Sequence, residues 1–88
     1  MSDRQTNGQP SLRVLFGRRI RVLRRDRGFS QERFAYHAGL DRSYVGGIER
    51  GQRNVSLDNV AVLARALDLP VHELFLFDGP NGSDTPGR

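Results

Sequence analysis

Gln31–Arg50 reads QERFAYHAGLDRSYVGGIER, and its small and apolar residues stand where two crossed helices need them. Ala35 is small enough for helices to cross closely, and Gly39 can take the positive φ of a tight turn. Val45 and Ile48 are spaced to anchor a second helix in a core. An alanine at the fifth position of the window, a glycine at the ninth and apolar residues at the fifteenth and eighteenth make the pattern of a helix-turn-helix. The expected partner of such a unit is DNA.

The helical period continues on both sides of this window. Ser11 is placed to cap a first helix, in which Leu12, Leu15, Phe16, Ile20 and Leu23 form one stripe and Gly28 supplies the stop. Ser30 opens helix 2, with Phe34, Ala35 and Ala38 inward. Asp41 opens helix 3, the expected recognition helix, which ends at Gly51. Ser56 opens helix 4, with Leu57, Val60, Ala61, Ala64 and Leu67 on its apolar face and Val62 and Leu63 widening it. Pro70 is suited to begin a short helix 5 carrying Val71, Leu74 and Phe75. The expected fold is therefore all-α, a compact five-helix domain over residues 11–77, with helices 2 and 3 forming the helix-turn-helix. Residues 1–10 and 78–88 are polar and rich in turn formers, and are expected to be disordered tails. LFLF at 74–77 is too short to build a sheet.

A chain of 88 residues is one domain and buries about 60–65% of the surface its unfolded form exposes, so a partner subunit would add stability. All 14 basic residues are arginine, and the net charge is +4. The excess is local. Leu12–Arg27 carries Arg13, Arg18, Arg19, Arg21, Arg24, Arg25 and Arg27 against Asp26, whereas residues 28–77 are close to neutral. Arginine suits phosphate because its planar fork donates two hydrogen bonds to one anion; an all-arginine set is equally what a GC-rich genome encodes. The absence of cysteine excludes disulfides, thiolate metal sites and cysteine nucleophiles. No leader or membrane-spanning run is visible, which makes the cytoplasm the expected location and a membrane an unexpected partner.

From Leu15 to Phe75 the chain resembles the lambda-repressor-like, Cro/C1-type (XRE) regulators, which include small phage repressors and restriction-modification controller proteins. The likeness is carried by GRRIRVLRRDRGFSQERFA, AGLDRSYVGGIERGQRNVSLDNVAVLARAL and LPVHELF. It implies a DNA-binding transcription regulator. Carried over position by position, it puts Arg42, Ser43, Tyr44 and Gly47 where the family contacts bases. Ser30 and Gln31 begin helix 2, where the family meets the DNA backbone and where free N–H groups favour phosphate in any case. Arg50, Gln52, Arg53 and Asn54 fall where the family grips phosphate. Arg24 and Glu49 match a pair that bridges helices 1 and 3, the arginine in some relatives also reaching phosphate. Arg42 has an independent physical case, since arginine reads guanine bidentately with about 1–3 kcal/mol of discrimination. The sequence departs from the family at Gly46–Gly47, where a side chain is usual. Each glycine costs about 0.8–1.0 kcal/mol of helix stability, and a base reader is missing at Gly47, which would leave specificity to fewer side chains, to DNA shape or to close approach of the backbone.

Leu74, Phe75, Leu76 and Phe77 exceed what a short helix needs for one subunit's core, so some of them should form a patch covered by a second copy. A two-fold dimer would set its recognition helices about 34 Å apart on a palindromic operator. The competing expectation is that both phenylalanines fold back over the monomer. Arg13, Arg18 and Arg25 read as a solvated face, and His37 and His72 lack metal-ligand spacing, so no metal or cofactor is expected. No nucleophile–base pair or phosphate-cradling loop is present either, and an enzyme is not expected. The alternative class is a protein-interaction module, an antitoxin or adaptor whose helix-turn-helix no longer reads DNA, binding a partner protein instead.

Overall fold

A computed structural model describes residues 10–77. Apart from Pro10, the expected tails lie outside the described residues. Four α-helices follow one another, α1 (Leu12–Asp26), α2 (Gln31–Ala38), α3 (Arg42–Glu49) and α4 (Leu57–Leu67), and a 3-10 segment (Val71–Phe75) closes the order. No strand occurs among the described residues. The expected fifth α-helix is thus a 3-10 turn. Pro70 caps it without a side-chain hydrogen bond, and after five residues the chain leaves helical geometry at Leu76, too short a run to sustain the α pattern.

Local signals act where the sequence places them. The hydroxyls of Ser11, Ser30 and Ser56 accept from the backbone N–H three residues on, at 3.3, 3.1 and 3.1 Å, which satisfies one orphan donor at each helix start. Asp41 occupies the N-cap of α3 but makes no side-chain cap bond. Gly39 ends α2 at φ 74°. The Leu40 N–H then reaches back 2.8 Å to the Ala35 carbonyl, turning the chain directly into α3.

α1 packs on α3, α2 on both α3 and α4, and the 3-10 segment on α1 and α4. The core consists of Phe16, Ile20, Leu23, Phe34, Ala35, Val45, Ile48, Val60, Leu63, Ala64, Leu67 and Leu74. Two residues expected on inward faces lie outside the core. Leu12 is 62% exposed and Leu57 85%; α4 turns Val60, Leu63, Ala64 and Leu67 inward and leaves Ala61 outside as well. Leu12 and Leu57 each stand one turn before the first fully inward residue of their helix, beyond the edge of the core.

Gly17 is the tightest point of the α1–α3 contact. A Cβ there would overlap the backbone carbonyl oxygen of Ile48 and stand 3.0 Å from that of Glu49, atoms that can retreat only if a helix moves. Gly17→Ala should therefore destabilise the domain by about 1–3 kcal/mol, as overpacking does. Urea unfolding should show a lower midpoint at unchanged slope.

Candidate nucleic-acid interface

Arg24 and Glu49 are buried, 6% and 8% exposed. Arg24 Nε donates to Glu49 Oε2 at 2.6 Å and Nη2 to Oε1 at 3.0 Å, while Nη1 donates to the Phe29 carbonyl at 2.7 Å. Glu49 Oε1 accepts a further bond from Gln31 Nε2 at 2.9 Å. One carboxylate thus ties the C-terminal end of α1, the first residue of α2 and the last turn of α3. The guanidinium is spent inside this junction, so Arg24 is a strut between helices rather than a free phosphate ligand. Gln31 likewise has its amide nitrogen committed to Glu49 and stands half-buried.

Around this junction the polar side chains turn outward. Arg42 and Ser43 are exposed in the first turn of α3, and Ser30 is exposed at the cap of α2. Arg50, Gln52, Arg53 and Asn54 are exposed on and after the end of α3. Arg50 Nε donates to Gln52 Oε1 at 3.0 Å. The arginines at 42, 50 and 53 pair with no carboxylate among the described residues.

The glycine pair is not bare. Gly46 and Gly47 are both buried. Gln31 Oε1 and Arg50 Nη1 lie over Gly46, 3.4 and 3.1 Å from where a Cβ would be. The Arg53 side chain lies across Gly47, with Cγ and Nε 2.9 Å from the same virtual position. This corrects the expectation that α3 offers Gly47, or its naked backbone, to a partner, for the surface there belongs to Arg53. Tyr44 is half-buried, with the Arg53 guanidinium 5.5 Å from its ring centroid and its hydroxyl accepting from Asn59 Nδ2 at 3.0 Å. Asn59 on α4 carries no sequence signal of its own, because it meets Tyr44 only through the fold.

The four residues expected at an interface between copies separate. Leu74 is completely buried in the subunit core and cannot take part in such a contact. Phe75 packs its ring against Phe16 in a tilted pair at 5.1 Å yet stays 39% exposed, Leu76 is 51% exposed, and Phe77 lies partly buried 6.1 Å from Phe75. Phe75 borders an open apolar groove lined by Leu12, Phe16, Val55, Leu57 and Val60. At its other side Arg19 donates through Nε to the Glu73 carbonyl at 2.9 Å and through Nη2 to its carboxylate at 3.4 Å, pinning the 3-10 segment to α1. His37 stacks on Phe29 at 5.0 Å. No group of three potential metal ligands forms among the described residues, and no described helix is long and apolar enough to cross a membrane.

Residues 15–76 match the model of the helix-turn-helix domain family, well over half of the chain. The chain belongs to this family. Its relatives place it with the Cro/C1-type (XRE) group and the restriction-modification control proteins. The control protein C.BamHI of Bacillus amyloliquefaciens is 41% identical over 68 residues, covering 76% of this chain and 84% of its own. The crystal structure of the controller C.AhdI from Aeromonas hydrophila superposes with a TM-score of 0.70 at 62% identity, over 72% of this chain and 96% of that one. The controller C.Esp1396I, solved as a tetramer on its natural 35 base-pair operator, superposes with a TM-score of 0.69 at 30% identity, over 75% of this chain and 87% of its own.

Removing either member of the buried pair strands the other. Arg24→Ala should cost about 3–5 kcal/mol of unfolding free energy, read from urea titration. Arg19→Ala, whose ion pair is partly solvated, should cost about 1 kcal/mol or less from lost charge pairing.

Proposed function

We propose that this protein is a homodimeric transcription regulator that reads a palindromic DNA operator, with α2 and α3 as its helix-turn-helix and α3 entering the major groove. The observation that carries the reading is the cluster of unpaired, outward arginines at both ends of α3, built around a last turn that Glu49 fixes from within. Arg42 and Ser43 meet base edges from the first turn of α3, and Tyr44 borders them. The cap of α2 at Ser30 and Gln31 and the loop at Arg50, Gln52, Arg53 and Asn54 take phosphates, fixing register before any base is read. The operator complex of C.Esp1396I supports DNA as the ligand. The regulators related to this chain support transcription control rather than catalysis.

Dimerisation uses the groove of Leu12, Phe16, Leu57, Val60 and Phe75 together with Leu76. Its position supports this, because Arg53, Asn54 and Val55 line the same groove. Two copies joined there hold their α3–α4 loops side by side, as adjacent half-sites require. The protein-interaction alternative draws on the Gly46–Gly47 pair and the modest net charge of +4; of these, the glycine pair is covered by the side chains of Gln31, Arg50 and Arg53.

Two cationic phosphate contacts per subunit, Arg50 and Arg53, give a dimer a log–log salt slope near −4, at about −0.9 per neutralised phosphate. Titration of a duplex selected from a random pool should show this slope, and one close to zero contradicts DNA binding as the function. Leu57 is almost fully exposed, so Leu57→Asp should leave the fold intact. Sedimentation should then give a monomer mass where the native chain gives a dimer, with operator affinity reduced at least 10-fold at low protein concentration.

A further inference from the structure

No side chain projects from α3 at Gly47, and the side chain of Arg53 occupies that place instead. Arg53 folds back from the loop so that its stem lies on Gly47 and its guanidinium on the face of Tyr44. An alanine at 47 would meet Arg53 Cγ and Nε at 2.9 Å, closer than carbon and nitrogen pack. The glycine, costly to the helix in itself, is thus a condition for this placement of Arg53. Tyr44 is in turn held from the side of α4, where Asn59 Nδ2 donates to its hydroxyl at 3.0 Å. The side chain of Asn59 is free for this purpose. The Ser56 cap uses only the Asn59 backbone N–H, which any residue but proline supplies.

A guanidinium on an exposed loop ordinarily samples many rotamers, and ordering it on contact with DNA costs affinity. Here a ring supports it from one side and a glycine admits it from below. We propose that Asn59 is a positioning residue for sequence reading: it fixes the Tyr44 ring, Tyr44 carries the Arg53 guanidinium, and Arg53 provides at Gly47 the base contact that α3 itself lacks there. The inference rests on the DNA-binding reading above and moves Arg53 from the phosphates to the base edges. Its ligand is a pair of acceptors in the major groove, as on a guanine edge, which suits the bidentate fork.

The test is the ratio of affinities of the full chain for its selected operator and for an unrelated duplex at one salt concentration. Arg53→Ala should lower this ratio about 5- to 150-fold, the range of one bidentate base contact. Asn59→Ala and Tyr44→Phe should each lower it about 3- to 10-fold, the net value of one hydrogen bond. In the Arg53→Ala background, Asn59→Ala should change the ratio no further, because it acts through Arg53 alone. Thermal unfolding accompanies each variant, and a fall in stability with an unchanged ratio identifies Asn59 as structural only and overturns the inference. So does a loss of affinity equal on both duplexes, which is the signature of a phosphate contact, or a loss additive with Arg53→Ala. A native chain that prefers no duplex overturns the DNA reading, and this inference with it. A native chain that selects an operator while Asn59→Ala keeps the same ratio overturns the inference alone.

Discussion

The Glu49 carboxylate is the constraint on which the rest of the molecule depends. Held by Arg24 from α1 and Gln31 from α2, it fixes the last turn of α3, and with it the direction in which the following loop leaves. A buried ion pair contributes little net stability, since the cost of desolvating two charges offsets most of their attraction. Its value is geometric. The guanidinium fork donates to both carboxylate oxygens along one planar edge, and the third bond to the Phe29 carbonyl ties the α1–α2 turn to the same point. An apolar substitute of equal volume could fill the space without specifying which face of α3 turns outward. The close approach at Gly17 cooperates with this, letting α1 come near enough to the carbonyls of Ile48 and Glu49 for Arg24 to reach its partner.

Rigidity inside is matched by an unusual outer surface. α3 has eight residues, and two of them are glycines that present no side chain. In the proposed complex such a helix would be a poor reader if its neighbours did not reach over it. Gln31 and Arg50 cover Gly46, and Arg53 covers Gly47. The outward surface of α3 is therefore composed partly of residues from α2 and from the loop. The helical cost of two glycines is set against the room they give to longer, donor-rich side chains.

What could be read in the sequence divides along the same line. Features that depend on three or four consecutive residues were legible: the serine caps of α1, α2 and α4, the turn at Gly39, the inward pair Val45 and Ile48. The salt bridge of Arg24 and Glu49 became visible only through likeness to relatives, because nothing local marks two charges 25 residues apart as partners. Gly17, Asn59 and the pairing of Arg19 with Glu73 carried no signal, since each has meaning only against a distant element. Helical periodicity also misplaced Leu12 and Leu57 inside. A period identifies an apolar stripe, but not where along the helix the core ends. The glycine pair misled for a related reason: a missing side chain looks like an empty place until the fold shows what lies over it.

The loop after α3 links the two surfaces. Arg53, Asn54 and Val55 line the apolar groove, while Arg53 also reaches over Gly47 toward the face of α3. Val55 packs against the core, which anchors the loop at its C-terminal end. In the proposed dimer, contact across the groove would bear directly on the residues that flank it and so on the placement of Arg53. A monomer that lacked the contact would lose more than the second half-site, because its own loop would be held from one side only. Dimerisation and reading are then linked by one short segment, and whatever binds a matched half-site should favour the paired state by the same free energy with which pairing favours binding.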